Sequence, residues 1–336
     1  MTNSLTYVPG VLVGHWTDAL NGTGCTVVLT PDGACAGVDV RGSSPGTRET
    51  DLLDPITGVD RVHGIVLSGG SAYGLGAAHG AVRWLAERGY GWYTPAARVP
   101  IVPAAIVYDL AYNGSAVYPT DANAYSACES ASASDDSRGS IGAGTGCTVG
   151  KLLGLANASR GGLGQASVTL AGGVVVAALL VVNAIGDIVD PTSADIIAGA
   201  RDPASGQLAD ALTAVTARFD QFLFRRPPTR ENTTIGVVAT NLPLNKAQAT
   251  KLAQMAQAGA TRTTRPAHTM YDGDCLFALG TGGLDIPFEL SLLGAVAAQV
   301  VAAAVLDGVR NASAGFGLPS ASDLTPLPLG KVISEQ

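Results

Sequence analysis

The sequence predicts a layered α+β fold. Short β-branched runs mix with amphipathic stretches without strict βαβ alternation, which argues against a doubly wound parallel sheet. Hydrophobic residues make up 47% of the 336 residues and charged residues only 14%, so the chain can bury a large core. Glycine is abundant, at 43 residues, and aromatics are sparse, at 5%, which favours tight turns and close backbone approach over stacking platforms. The length suits one large domain or two ordinary ones. No repeat or shift in composition marks a boundary.

Residues 8–15 and 25–30 read as short strands joined through Asn21-Gly22, a turn signal. Residues 36–40 alternate and end at Arg41-Gly42, and 64–67 form another apolar strand. After the Gly-rich turn Ser68-Gly69-Gly70-Ser71, the pattern over 72–88 turns helical, with Leu75, Ala78, Val82 and Leu85 at near-helical spacing. Residues 99–107 are apolar but punctuated by proline. A helix is expected over 124–131 and a surface loop over 132–139. Residues 161–182 give two strands broken at Gly172-Gly173. Residues 194–224 read as a loop followed by an amphipathic helix, stopped by Arg226-Pro227-Pro228. A strand at 235–240, a helix at 246–259, a turn at Arg265-Pro266-Ala267-His268-Thr269 and a strand at 275–280 follow. The apolar stretch 290–306 is alanine-rich and falls short of the roughly 20 strongly apolar residues of a membrane span, so it reads as a core helix.

A net charge of −7 and a pI near 5.0 argue against nucleic acid or anionic membrane as partner. The five cysteines, Cys25, Cys35, Cys128, Cys147 and Cys275, are odd in number and lack metal-binding spacing, which fits a reducing, cytoplasmic setting. No secretory signal is visible at the N-terminus. The four histidines show no HExxH or paired spacing, so neither metal nor cofactor is expected. His268, beside Asp272 and Asp274, reads as a structural or supporting residue. The region 142–151 fails the phosphate-loop test, because Thr145 and Leu152 stand where Gly and Ser/Thr are required. Gly74-Leu75-Gly76 lacks the third glycine of a dinucleotide fingerprint. Ser71 resembles a nucleophile elbow, but Tyr73 stands where that motif needs glycine.

Asn232-Thr233-Thr234 opens a β-branched run, so its plain reading is a loop entering a buried strand. Its chemical reading is a latent nucleophile. A threonine hydroxyl needs a base, and a freed α-amine, with a pKa of about 7.7–8.0, can be that base. The hydroxyl can free the amine by attacking the preceding carbonyl, which leaves an ester for water to hydrolyse. A lysine and a side-chain amide nearby would steady the oxyanion.

Ser68-Gly69-Gly70-Ser71-Ala72-Tyr73-Gly74, Tyr108-Asp109, Gly142-Ala143-Gly144-Thr145-Gly146 with Lys151, Val182-Asn183, Asn232-Thr233-Thr234-Ile235 and His268-Thr269-Met270-Tyr271-Asp272-Gly273-Asp274 occur together and in order. This set resembles the P1 peptidase family of aminopeptidases, D-amino-acid esterase-amidases, β-peptidyl aminopeptidases and nylon-oligomer hydrolases. The resemblance implies a four-layer αββα sandwich of the N-terminal nucleophile hydrolase type. It implies self-cleavage at Asn232–Thr233 into an α part, 1–232, and a β part, 233–336, held in one structural domain. It makes Thr233 the nucleophile, assigns Lys151 and Asn183 to amine tuning and oxyanion stabilisation, and gives Asp272 and Asp274 a supporting acidic role. Tyr108 would line the substrate site, and a homotetramer is expected. Threonine as nucleophile, Lys151 and Asp272-Gly273-Asp274 match the nylon-oligomer hydrolases better than the serine branches. The implied substrate is therefore a linear oligoamide such as a 6-aminohexanoate oligomer, or a peptide-like amide. Aminopeptidase or D-amino-acid amidase-esterase activity, acyl transfer of the ornithine acetyltransferase kind, and a non-catalytic binding role are the alternatives.

Overall fold

The computed structural model describes residues 4–110, 116–217 and 232–330. Its main sheet has nine strands: β1 (Leu12–Asp18), β2 (Thr23–Val40), β3 (Thr47–Arg48), β4 (Val62–Ser68), β5 (Ala104–Ile106), β6 (Gly162–Thr169), β7 (Val175–Asn183), β8 (Thr233–Thr240) and β9 (Cys275–Gly280). The order is β6-β7-β8-β9-β2-β4-β5-β3, with β1 paired to β2. Four helices cover it: α1 (Ala78–Glu87), α2 (Asp121–Glu129), α3 (Lys246–Thr263) and α4 (Leu290–Arg310).

The connecting element is β2. Its first half pairs with β1 and β4, whereas its second half, Cys35 to Val40, pairs with β9. Between the halves the register with β4 shifts, across Thr30-Pro31-Asp32-Gly33, and Gly33 takes a positive φ of 84°. Proline and left-handed glycine let the strand bend without ending. The sequence suggests two strands here; the structure has one long strand serving two sheet halves.

Alternation along the strands then builds the layers. Val176, Ala178, Leu180 and Val182 of β7 pack with α3 and α4, whereas Val175, Ala177, Leu179 and Val181 face a central core. Ile65 and Leu67 of β4 and Val28 of β2 enter that same central core from the opposite half. Val27, Leu29 and Val66 point the other way, towards Ala78, Ala81 and Leu85 of α1 and Ala124 and Ala127 of α2. The result is helix, sheet, sheet, helix, the four-layer αββα sandwich. Each fully buried valine or leucine contributes about 1.5–3 kcal/mol.

Residues 161–182 split as the sequence suggests, with Gly172 and Gly173 both left-handed at the turn. Helix α3 begins at an Asn245–Gln248 capping box, and α4 at Glu289, whose carboxylate accepts the amides of Ser291 and Leu292. Helix α4 is long and apolar enough to cross a membrane, but 67% of its most apolar window is buried within the protein. Elsewhere the expectations shift. The strand expected at 8–15 runs Leu12–Asp18, because residues 8–10 form a turn in which Gly10 takes a positive φ of 88°. The helix expected from 72 begins as a 3₁₀ segment, Ser71–Ala77, and becomes α-helical only at Ala78. Within 194–224 lie a strand, Asp195–Ala198, and a short helix, Ala211–Ala217; the remainder of the expected helix falls outside the described residues. That strand belongs to a second, four-stranded sheet with Thr264–Arg265, Asp187–Asp190 and Leu327–Pro328.

Helix α4 touches the sheet backbone to backbone. A Cβ on Gly164 would lie 2.1 Å from the Ala304 carbonyl oxygen and 2.2 Å from the Gly308 nitrogen. Gly164→Ala should therefore push α4 off β6 and lower stability by about 1–3 kcal/mol, the usual cost of overpacking. A urea midpoint equal to that of the unmodified chain would contradict this packing.

Candidate active site

Strand β8 begins at Thr233, between two neighbours that end or begin at the same level. Antiparallel β7 places its last residue, Asn183, opposite Thr233. Parallel β9 starts two residues further on, with Ile235 opposite Cys275, and the turn before it forms an isolated bridge between Asn232 and Asp272. The Asn232–Thr233 peptide is thus fixed from both sides at the mouth of the sheet. Asn232, Thr233 and Thr234 are all buried.

The turn Asp272-Gly273-Asp274 grips that peptide. Gly273 N–H donates to the Asn232 carbonyl oxygen at 2.8 Å. Thr234 N–H donates to Asp274 Oδ1 at 2.6 Å. The Thr233 hydroxyl donates to the Asn232 carbonyl oxygen, with Oγ1 only 2.5 Å away. Glycine is required at 273, for a Cβ there would lie 2.9 Å from Thr233 Oγ1 and 2.7 Å from the Ser44 carbonyl oxygen.

Across β7, Lys151 enters from a short turn after left-handed Gly150. Its backbone N–H donates to the Ile185 carbonyl at 2.8 Å, and its Nζ donates to Asn183 Oδ1 at 2.9 Å and to the Asn183 carbonyl at 3.0 Å. Asn183 Oδ1 also accepts Thr148 N–H, and Nδ2 donates to the Tyr108 carbonyl at 3.2 Å. Lys151 is buried, so its charge is placed there for a reason other than solubility. Its field acts on Asp272, whose carboxyl is nonetheless pushed up to about 6 by burial first and by Asp274 second. Asp272 is further anchored by the Thr269 amide and hydroxyl, both at 2.7 Å from Oδ2.

The fold therefore brings Thr233, Lys151, Asn183, Asp272, Asp274, Asn232 and the Tyr108 backbone into one connected cluster. Asp274 holds the Thr234 amide and the His268 ring. Sequence reasoning overlooked Gly273, which contributes a backbone donor; the only signal for it was a glycine between two aspartates. Asp109 was noted only beside Tyr108. It is buried, and its carboxylate accepts Gly70 N–H and the Thr23 hydroxyl, each at 2.7 Å, tying the Gly69-Gly70 turn to the Tyr108 segment. Ser71 does have a positive φ of 53°, but among the described residues no base is hydrogen-bonded to its hydroxyl.

A conserved-domain description, Peptidase family S58, matches residues 3–319. The chain belongs to peptidase family S58. This S58 peptidase is 42% identical over 356 residues to an uncharacterized aminopeptidase of Mycobacterium tuberculosis, covering 98% of this chain and 99% of that one. It is 32% identical over 315 residues to the 6-aminohexanoate-oligomer endohydrolase of Kocuria sp., covering 90% and 84%. Among solved structures it superposes on the L-aminopeptidase D-Ala-esterase/amidase of Ochrobactrum anthropi, described as a variant of the Ntn hydrolase fold, with a TM-score of 0.70 at 22% identity over 95% of this chain and 91% of that one. A Burkholderia sp. β-aminopeptidase gives 0.68 at 22% identity, covering 93% and 87%. The S58 peptidase is accordingly a hydrolase of amide bonds in an Ntn-type fold.

Three buried carboxyls give its stability an unusual pH dependence. Burial lifts Asp109 and Asp272 to about 6 and Asp187 to about 7. Each binds its proton more tightly folded than unfolded, where an aspartate titrates near 3.9. The stability they add is complete below about pH 4 and is lost as pH rises through 6 to 7. His63, held below its usual range by burial, opposes them in that window as a single group. The thermal midpoint should be higher at pH 5.5 than at pH 8; a midpoint that rises across this interval would contradict the three assignments.

Proposed function

We propose that this S58 peptidase is an autoproteolytic N-terminal threonine hydrolase. One observation carries the reading: the Asn232 carbonyl is held by Gly273 N–H while Thr233 Oγ1 lies against it. In the first reaction Oγ1 attacks the Asn232 carbonyl carbon, and negative charge develops on an oxygen that already has a fixed backbone donor. The C–N bond breaks, the departing nitrogen takes the hydroxyl proton, and an Asn232 ester on Thr233 remains. Water hydrolyses the ester to the Asn232 carboxylate and a Thr233 with both hydroxyl and free amine.

In the second reaction that amine accepts the hydroxyl proton as Oγ1 attacks a substrate amide carbonyl. It then passes the proton to the leaving amine. The acyl-threonine ester is hydrolysed by water, which restores the enzyme. Lys151, anchored by Asn183 at 2.9 Å, supplies positive charge beside this centre. That charge keeps the α-amine unprotonated and steadies the oxyanion, and Asn183 adds an amide donor. Tyr108 lines the approach for substrate. The α and β parts stay together after cleavage because β8 and β9 lie between β7 and β2.

The proposed substrate is a linear oligoamide or peptide-like amide. Relatives named as aminopeptidases and as 6-aminohexanoate-oligomer endohydrolases support the class, and the Thr233, Lys151 and Asp272-Gly273-Asp274 set favours the latter branch. Thr233→Ala should leave the chain full-length and reduce turnover of 6-aminohexanoate oligomers or aminoacyl p-nitroanilides by at least about 10⁴-fold, whereas Thr233→Ser should cleave itself and retain activity. A Thr233→Ala chain that still hydrolyses these amides would contradict the mechanism and point to Ser71.

A further inference from the structure

We propose that His268 is a positioning residue for the Thr233 reaction, acting through Asp274. The proposal rests on Thr233 being the nucleophile. His268 Nδ1 lies 2.7 Å from Asp274 Oδ2, and the His268 backbone N–H reaches the same oxygen at 3.2 Å. The other oxygen, Oδ1, accepts Thr234 N–H at 2.6 Å. The histidine side therefore fixes Oδ2, and that leaves Oδ1 directed at the residue that follows the nucleophile.

The far end of this chain of contacts is anchored on α3. The Thr261 hydroxyl donates to the Gln257 carbonyl one turn back in α3, at 3.1 Å. The same hydroxyl lies 3.1 Å from His268 Nε2. His268 and Asp274 thus form a hydrogen-bonded pair, largely buried, with side-chain exposures of 14% and 6%. Through Thr261 the pair is tied to α3, so the carboxylate orientation is set by an element outside its own turn. His268 also takes a positive φ of 56°, a left-handed conformation uncommon outside glycine that Asn, Asp and His adopt most readily.

The test uses self-cleavage of newly made chain, followed by denaturing electrophoresis, so that no external substrate is needed. Loss of a hydrogen bond to a charged group corresponds to about 10- to 100-fold in rate. His268→Ala should slow cleavage by that factor without altering the thermal midpoint by more than a few degrees. His268→Asn tolerates the left-handed backbone and can donate from Nδ2 in place of Nδ1, so it should restore cleavage to within about fivefold. His268→Gly relieves the backbone but supplies no donor, and should be as slow as His268→Ala; it also serves as the reading if the alanine variant does not fold. Cleavage by His268→Ala at the unmodified rate, rescue by His268→Gly, or failure of a folded His268→Asn to recover would each overturn the positioning role. Thr233→Ala run in parallel separates the two ideas, since its cleavage would remove the nucleophile assignment whatever His268 does.

Discussion

The peptide between Asn232 and Thr233 is held on both sides by the single turn Asp272-Gly273-Asp274. Gly273 N–H fixes the carbonyl before the bond, and Asp274 fixes the amide after Thr233. A buried backbone polar group must be paired, so this grip is first a structural necessity at the start of β8. In the proposed self-cleavage it would also be a preorganised electrostatic environment, since a donor aimed at the carbonyl oxygen needs no reorganisation as charge develops there. Structure and chemistry here are the same hydrogen bonds.

The rest of the fold serves to place that turn. Parallel pairing of β8 with β9 brings the 272–274 turn alongside Asn232, and antiparallel pairing of β7 with β8 brings Asn183 opposite Thr233. Lys151 reaches Asn183 only because the 150–151 backbone is hydrogen-bonded to Gly186 and Ile185, just past the end of β7. The bent β2 joins this half of the sheet to the half that carries Tyr108, so that the Tyr108 carbonyl meets Asn183. Close approaches at Gly37 against α3, Gly164 against α4 and Gly259 between the two helices explain where many of the glycines go.

Much of this was legible in the sequence where the signal is local. Gly172-Gly173 marks a strand break, the pattern over 246–259 marks α3, and β-branched runs mark β7 and β8. The continuity of β2 was not legible, because Pro31-Asp32-Gly33 has the chemistry of a turn and only distant partners, β4 and β9, keep the strand going. Asp195–Ala198 was missed for the same reason: its pairing with Asp187–Asp190 and Leu327–Pro328 is what makes it a strand. In the site, the ionisable and amide side chains could be named from their resemblance to known peptidases. Gly273 could not, since a backbone N–H has no residue identity, and His268 could not be assigned beyond a supporting role until Thr261 and Asp274 were seen on either side of its ring.

The central claim is that Thr233 becomes a chain terminus whose amine serves its own hydroxyl. Intact-mass measurement of the active protein, with N-terminal sequencing of its fragments, tests this most directly. The account predicts two polypeptides, one ending at Asn232 and one beginning at Thr233, with amide-hydrolysing activity rising in step with their appearance. Full activity in a chain that remains a single polypeptide would contradict it.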